Sequence, residues 1–380
     1  MALIVSIVGT RPEAIKMAPV AQALEKLPDV DHQIFLTGQH SDLDRYFDPR
    51  WSLHPLRFDP RGRTVERLRI GLRALLCGRF RRWPADLVLV HGDTTSAAAG
   101  ALAARDCSIP IGHVEAGLRS FDLDRPWPEE GHRVAIDALA DLLFAPTEEA
   151  ALNLRKEARV KGRIVVTGNT GIDALLQVRA RIPRPAGPSA DARRLVLVTC
   201  HRRENQGEPA NALCDAIRRM TAELPVRAAA ILHPNPLARE PIEAALADLE
   251  HVRLLEPQGY EEMVALMDSS WLILTDSGGL QEEAPALGKP VLVLRDVTER
   301  PEAMATGNLE LVGTDPDRIF AAVAGLFSDP ERHARMARPA FPFGDGHAAE
   351  RIAEAIAAWL AEKEDRHPGE SRDLGETRRD

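Results

Sequence analysis

Two doubly wound, Rossmann-like α/β domains are the fold class this sequence predicts, on three observations. Short, continuous apolar runs alternate with longer amphipathic stretches, the mark of parallel strands covered by helices on both faces. That alternation stops at "IPRPAGPSADARR" (182–194), rich in Pro, Gly and Ser, and then starts afresh. A chain of 380 residues is also too long for one ordinary core and suits two.

The first series of expected strands is "LIVSIV" (3–8), "HQIFLT" (32–37), "DLVLV" (86–90), "IPIGHV" (109–114), "LLFAP" (142–146) and "RIVVTG" (163–168). The second is "RLVLVT" (194–199), "RAAAIL" (227–232), "VRLLE" (252–256), "WLILT" (271–275), "PVLVL" (290–294) and "LELV" (309–312). This sets an N-terminal domain over 1–182 and a C-terminal domain over 183–346. A terminal helix over 347–362 is expected to pack back towards the first domain, and the charged stretch 363–380 to be disordered. Ligands of such sheets bind beyond the carboxyl ends of the strands, so the groove between the domains is the expected site.

Composition narrows the function. A formal net charge of −9 argues against general binding to nucleic acid or anionic membranes. The four cysteines, Cys77, Cys107, Cys200 and Cys214, show neither a CxxC pair nor metal-ligand spacing, and read as reduced thiols of a cytoplasmic protein. No HExxH or Cys/His cluster supports a metal. The run at the start is too short for a signal peptide or membrane span and reads as a strand.

Unusual polar residues cluster just after the strands. "GTRPEAIKMAP" sets Arg11 and Lys16 near a helix start without a GxGxxG fingerprint, so a nicotinamide cofactor is not expected. "HGDTT" supplies Asp93, "GHVEAGLR" supplies Glu115, and "PWPEE" brings Glu129. Asp93 alone could be a helix cap; three carboxylates at neighbouring strand ends point instead to acid–base chemistry. In the second half, "HRREN" places His201 and Arg202 after a strand, "HPNP" places His233, and "VTERPEA" places Arg300, a set suited to an anion.

The stretch "TDSGGLQEEAP" joins two requirements. Ser277 is expected to cap a helix whose amides near Gly278 and Gly279 face a diphosphate. Glu283, one turn on, would accept both hydroxyls of a ribose, while Glu282 complements the helix dipole. A nucleoside diphosphate satisfies both halves.

Together with "GKPVLVLRDVTERPEA" and "LVGTD", these motifs closely resemble the non-hydrolysing UDP-N-acetylglucosamine 2-epimerases from about residue 3 to 355, with an interruption around 41–75. The resemblance implies the two-domain GT-B fold, a homodimer, and interconversion of UDP-GlcNAc and UDP-ManNAc without metal or cofactor, for envelope polysaccharide. It implies that Asp93, Glu115, Glu129 and His201 are catalytic. Arg11, Lys16, His233, Ser277, Gly278, Gly279, Glu283 and Arg300 would bind substrate, and Gln258 and Met263 would lie in the uracil-binding segment. Gln39, His40 and Arg202 would belong to a second, allosteric UDP-GlcNAc site, although the Arg-Gln pair usual there is absent. His132 stands where the family commonly has asparagine, and Met263 where it has an aromatic. The alternatives are a modified UDP-2-acetamido sugar such as a diacetamido-uronate, a hydrolysing epimerase, a GT-B glycosyltransferase, or a UDP-sugar sensor without catalysis.

Overall fold

A computed structural model describes residues 1–124, 126–183, 193–202, 205, 207–298 and 300–366. Most of the 182–194 segment and residues 367–380 of the charged tail lie outside the described residues. The chain divides into two compact units, one of Met1–Thr170 with the segment from His347, the other Gly171–Gly346. The division falls ahead of the 182/183 boundary read from the sequence. Its cause is the helix Thr170–Arg181, whose Ile172 and Leu175 pack into the core of the second unit beside Leu197 and Ile231.

The first unit is built on a seven-stranded parallel sheet. Its strands are β1 (Ala2–Val8), β2 (Val30–Leu36), β3 (Ser52–Pro55), β4 (Leu87–His91), β5 (Ile111–Val114), β6 (Leu142–Ala145) and β7 (Arg163–Val166). Their order is β3-β2-β1-β4-β5-β6-β7. Val5 and Ile7 of β1 enter one core while Ile4 and Val8 enter the core on the other face, as a two-residue strand period requires. The edge strand β3 has no counterpart among the expected runs. "SLHP" is short, ends in proline and is half exposed, so it carries no apolar signal.

The second unit carries a six-stranded parallel sheet. Its strands are β8 (Arg194–Thr199), β9 (Val226–Ile231), β10 (Val252–Leu255), β11 (Leu272–Thr275), β12 (Val291–Val293) and β13 (Leu309–Leu311), in the order β10-β9-β8-β11-β12-β13. Each sheet reverses its winding once, between β1 and β4 in the first unit and between β8 and β11 in the second. Chain leaving those strands diverges to opposite faces and opens a crevice in each unit.

Close packing holds the first crevice. At Gly9, just after β1, an added Cβ would lie 1.9 Å from Ser96 Oγ and 2.5 Å from Thr37 Oγ1. Only glycine lets that turn pass the helix Thr95–Asp106 that follows β4. The terminal helix, Ala348–Arg366, packs Ile352, Ala353 and Ile356 into the core shared with Met17 and Val20 of the helix Arg11–Glu25. It runs past residue 362 because its last turns favour helix, and Lys363 Nζ sits 4.3 Å from the Trp359 ring centroid. No helix among the described residues is long and apolar enough to cross a membrane. Ile356 is fully buried. Ile356→Ala should therefore destabilise the first unit by about 2–5 kcal/mol, read as a lowered midpoint in denaturant unfolding.

Candidate active site

The first unit gathers its polar groups at the crevice between β1 and β4. Thr10 caps the helix Arg11–Glu25 in a capping box, with Glu13 at the third helical position. The Glu13 carboxylate accepts from Gly9 N at 2.9 Å, Thr10 N at 2.7 Å and Thr94 Oγ1 at 2.6 Å. One buried carboxylate thus ties the turn after β1, which carries Arg11, to the turn after β4, which carries Asp93. Burial pushes the Glu13 carboxyl up to about 7, against the hydrogen bonds that favour its anion.

Lys16, on the same helix, pairs with Glu115 Oε2. Glu115 leaves β5 with φ +66°, in the left-handed region that non-glycine residues rarely occupy. Such a conformation costs on the order of 1–3 kcal/mol and persists where surrounding contacts enforce it. Here it turns the carboxylate back over the neighbouring turn. A Cβ on Gly92 would lie 3.6 Å from Glu115 Oε1, and His91 Nε2 lies 3.7 Å from Glu115 Oε2. Beneath that turn the buried His113 ring bonds Gly92 O at 2.8 Å and Asp137 Oδ1 at 2.6 Å. Arg119 pairs with Asp137 at 2.6 Å, and His113 and Arg119 together hold the Asp137 carboxyl below its usual range against the opposing effect of burial.

Glu129 opens the helix Glu129–Asp137, so His132 and Arg133 lie on its face one turn later. His132 Nδ1 is 2.8 Å from Asp93 O, and Arg133 Nη2 is 2.5 Å from Asp93 Oδ2. This helix start is thereby fastened to the turn after β4. Glu130 is a structural anchor that accepts from Ser120 N at 3.0 Å and Phe121 N at 3.1 Å. Glu129 differs: its Oε2 is buried with no hydrogen-bond partner. The helix start that bears Glu129 therefore stands beside the turn that bears Asp93. Arg11 is exposed at its edge, with its amide donating to His40 Nδ1 at 3.2 Å. Gln39 Oε1 accepts from Ser96 Oγ at 2.9 Å.

In the second unit the organiser is Asp276, fully buried at the end of β11. It accepts from His201 N at 3.0 Å, Arg202 N at 2.9 Å and Asn205 Nδ2 at 2.9 Å, folding the turn after β8 against that after β11. His201 leaves its Nδ1 buried and unpartnered, and burial lowers its basicity. Its ring centroid is 5.5 Å from that of His233, whose Nδ1 accepts from Asn235 N at 2.9 Å. His233 thus keeps its proton on Nε2.

Ser277 occupies the N-cap position of the helix Gly278–Ala286, but its side chain makes no capping bond. This corrects the expectation that its hydroxyl caps. Instead Ser277 N donates to Thr275 Oγ1 at 3.0 Å, and the hydroxyl stays beside Gly279, 3.9 Å from where a Cβ would stand. A Cβ on Gly278 would lie 3.4 Å from Arg300 Nη2 and 3.9 Å from Arg202 Nη2, so two guanidiniums flank the open helix start. That is a site for a charged anion. Glu282 does more than face the helix dipole, since it accepts from Arg300 Nε at 2.6 Å and aims that side chain. Glu283 accepts from Tyr260 OH at 3.1 Å. Gln258 donates to Glu256 O at 2.6 Å, and Met263 is half-buried against the second core.

Sequence reasoning missed Glu13, the His113–Asp137–Arg119 network and Asp276. The first was readable, because "TRPE" is a capping-box signature; the others reveal themselves only through burial. Among the described residues, no group of three or more His, Cys, Asp or Glu side chains is placed to hold a metal ion.

Residues 22–357 match the family described as UDP-N-acetylglucosamine 2-epimerase. A UDP-N-acetylglucosamine 2-epimerase of Salmonella typhimurium is 43% identical, over 94% of this chain and 98% of its own length. One of Bacillus subtilis is 42% identical, over 93% and 94%. The crystal structure of UDP-GlcNAc 2-epimerase from Neisseria meningitidis bound to UDP-GlcNAc superposes with a TM-score of 0.82 at 38% identity, covering 94% of this chain and 100% of that one.

The Glu13 carboxyl generates a pH prediction. Its folded value, about 7, lies above the ordinary 4.5, so the folded state binds the extra proton between them. Unfolding free energy should fall as pH rises through that window and level off above about 7. Glu13→Gln should remove that share of the slope, as measured by denaturant unfolding at a series of pH values.

Proposed function

The chain belongs to the UDP-N-acetylglucosamine 2-epimerase family, an isomerase family, and from that premise we propose that it interconverts UDP-GlcNAc and UDP-ManNAc by reversible inversion at C2 of the sugar. The observation that carries this reading is the pair of strand-end constellations, one anionic and one built for an anion. Asp93, Glu115 and Glu129 share the crevice of the first unit, whereas an uncapped helix start flanked by Arg202 and Arg300 marks the second. A UDP-sugar offers a C2 hydrogen that suits the chemistry of the first set and a diphosphate that suits the second.

The chemistry explains why both are needed. The C2 hydrogen has no adjacent carbonyl, so a carboxylate cannot take it until the C1–O bond weakens and C1 gains cationic character. Arg300, Arg202, His201 and the amides at Gly278 and Gly279 receive the charge that builds on the departing diphosphate. Glu115 and Glu129 divide the base and acid roles on the two faces of C2, and Asp93, aimed by Arg133, stabilises the oxocarbenium-like face. UDP and 2-acetamidoglucal stay bound, and re-addition after protonation on the opposite face gives the epimer. Glu283 holds the ribose; Gln258 and Met263 flank the uracil. Gln39, bonded to Ser96, and His40, against the Arg11 amide, are where an effector UDP-GlcNAc would bear on the first unit. We place the enzyme in the cytoplasm as a homodimer feeding envelope polysaccharide synthesis.

Incubation with UDP-GlcNAc in deuterium oxide, followed by NMR, tests the reading. UDP-ManNAc carrying deuterium at C2 is expected, without free ManNAc. Free ManNAc and UDP would mean a hydrolysing enzyme, and ligand binding without exchange a sensor. Glu115→Gln and Glu129→Gln should each lower turnover on the order of 10²–10⁴-fold, the usual share of a general acid or base.

A further inference from the structure

His91 closes β4, is buried to within a few per cent of its surface, and faces the carboxylate of Glu115 with an Nε2 that has no hydrogen-bond partner. A buried polar atom left unsatisfied costs on the order of 1–3 kcal/mol, so its persistence calls for a reason. Burial keeps this ring neutral, so with its hydrogen on Nδ1 it presents a bare lone pair on Nε2. Nε2 lies 3.7 Å from Glu115 Oε2, about 0.5–1 Å beyond hydrogen-bond reach. Two acceptors facing each other must stand apart in this way for as long as neither carries a hydrogen.

We propose that His91 is a positioning residue for proton exchange at Glu115, its Nε2 accepting the hydrogen that Oε2 bears when that carboxylate is protonated. The inference rests on the epimerase reading above and deepens it. In one direction of turnover the C2–H bond breaks and its proton forms an O–H bond on Glu115. The C–H electron pair becomes the C1=C2 bond, and the C1–O pair leaves with UDP. Lys16 steadies the carboxylate before that transfer, when it is anionic. His91 steadies it afterwards, when it is neutral and the attraction of Lys16 has faded. The histidine accepts a hydrogen bond and not the proton itself. Burial lowers its basicity to about 4, and the charge of Lys16 and the nearby His113 push in the same direction, with Glu115 opposing. Glu115 therefore has a partner for each protonation state, and the left-handed backbone at that residue is what brings its carboxylate to both.

The test compares His91→Leu, which removes the acceptor, with His91→Gln, whose amide oxygen can stand where Nε2 stood, and His91→Asn, whose shorter side chain cannot. Turnover of UDP-GlcNAc, its KM, and the isotope effect on kcat with substrate deuterated at C2 are measured for each folded variant. Expected results are a 10- to 100-fold loss of kcat in His91→Leu with KM little changed, a larger deuterium isotope effect, and recovery to within about threefold in His91→Gln but not in His91→Asn. Equal kcat and equal isotope effects for wild type and His91→Leu would overturn the proposal. Should His91→Leu fail to fold, equal activity of the Gln and Asn variants would overturn it. Wild-type protein that incorporates no deuterium at C2 would instead defeat the epimerase reading itself.

Discussion

The constraint on which the proposed chemistry depends is a single backbone conformation, the left-handed turn at Glu115. A residue leaving a parallel strand would ordinarily carry its side chain onwards over the sheet edge. The reversed turn brings the carboxylate back to Lys16 and His91, both of which face Oε2. Such strain must be held by its surroundings. The His113–Asp137–Arg119 network lies under the adjacent Gly92 turn, and Gly117 N donates to Asp137 at 3.2 Å just beyond Glu115. The core chain on either side of the strained residue is thus fastened to one buried carboxylate.

The same device recurs in the second unit with another carboxylate. Asp276 receives the amides of His201 and Arg202 and so brings the turn after β8 to the helix start after β11. In both units candidate side chains stand one or two residues beyond a strand, Asp93 and Glu115 in the first and His201 and Ser277 in the second, and a fully buried acid fixes the loops. Placing the rigid element behind and the charged groups in front lets the latter meet a ligand without distortion of the sheet.

The doubly wound architecture was legible because buried parallel strands are written as continuous apolar runs, and twelve such runs reappear at or near their expected places. The edge strand β3 was not, since an exposed edge needs no apolar residues. The unit boundary also departed from the sequence reading: composition marks where a linker is permitted, whereas packing of Ile172 and Leu175 decides to which core a helix belongs. At the candidate site, residue types in the motifs singled out Asp93, Glu115, Glu129, His201 and Arg300. What pattern could not disclose was orientation. Neither the left-handed turn at Glu115 nor the orphaned Nε2 of His91 leaves a trace in local composition, because both arise from contacts between distant segments. Nor could the dual use of Glu282, read as a helix-dipole partner, be separated from its hold on Arg300 without coordinates.

In the proposed mechanism UDP stays bound while a hydrogen is exchanged at C2, so the sugar–phosphate bond must open and close within a single binding event. The most direct measurement places ¹⁸O in the oxygen bridging C1 and the β-phosphorus of UDP-GlcNAc and follows it by ³¹P NMR during turnover. Migration of the label into the non-bridging β-phosphate positions, in recovered substrate and in product, is the predicted result. Epimerised sugar with the label wholly retained in the bridge would contradict the account.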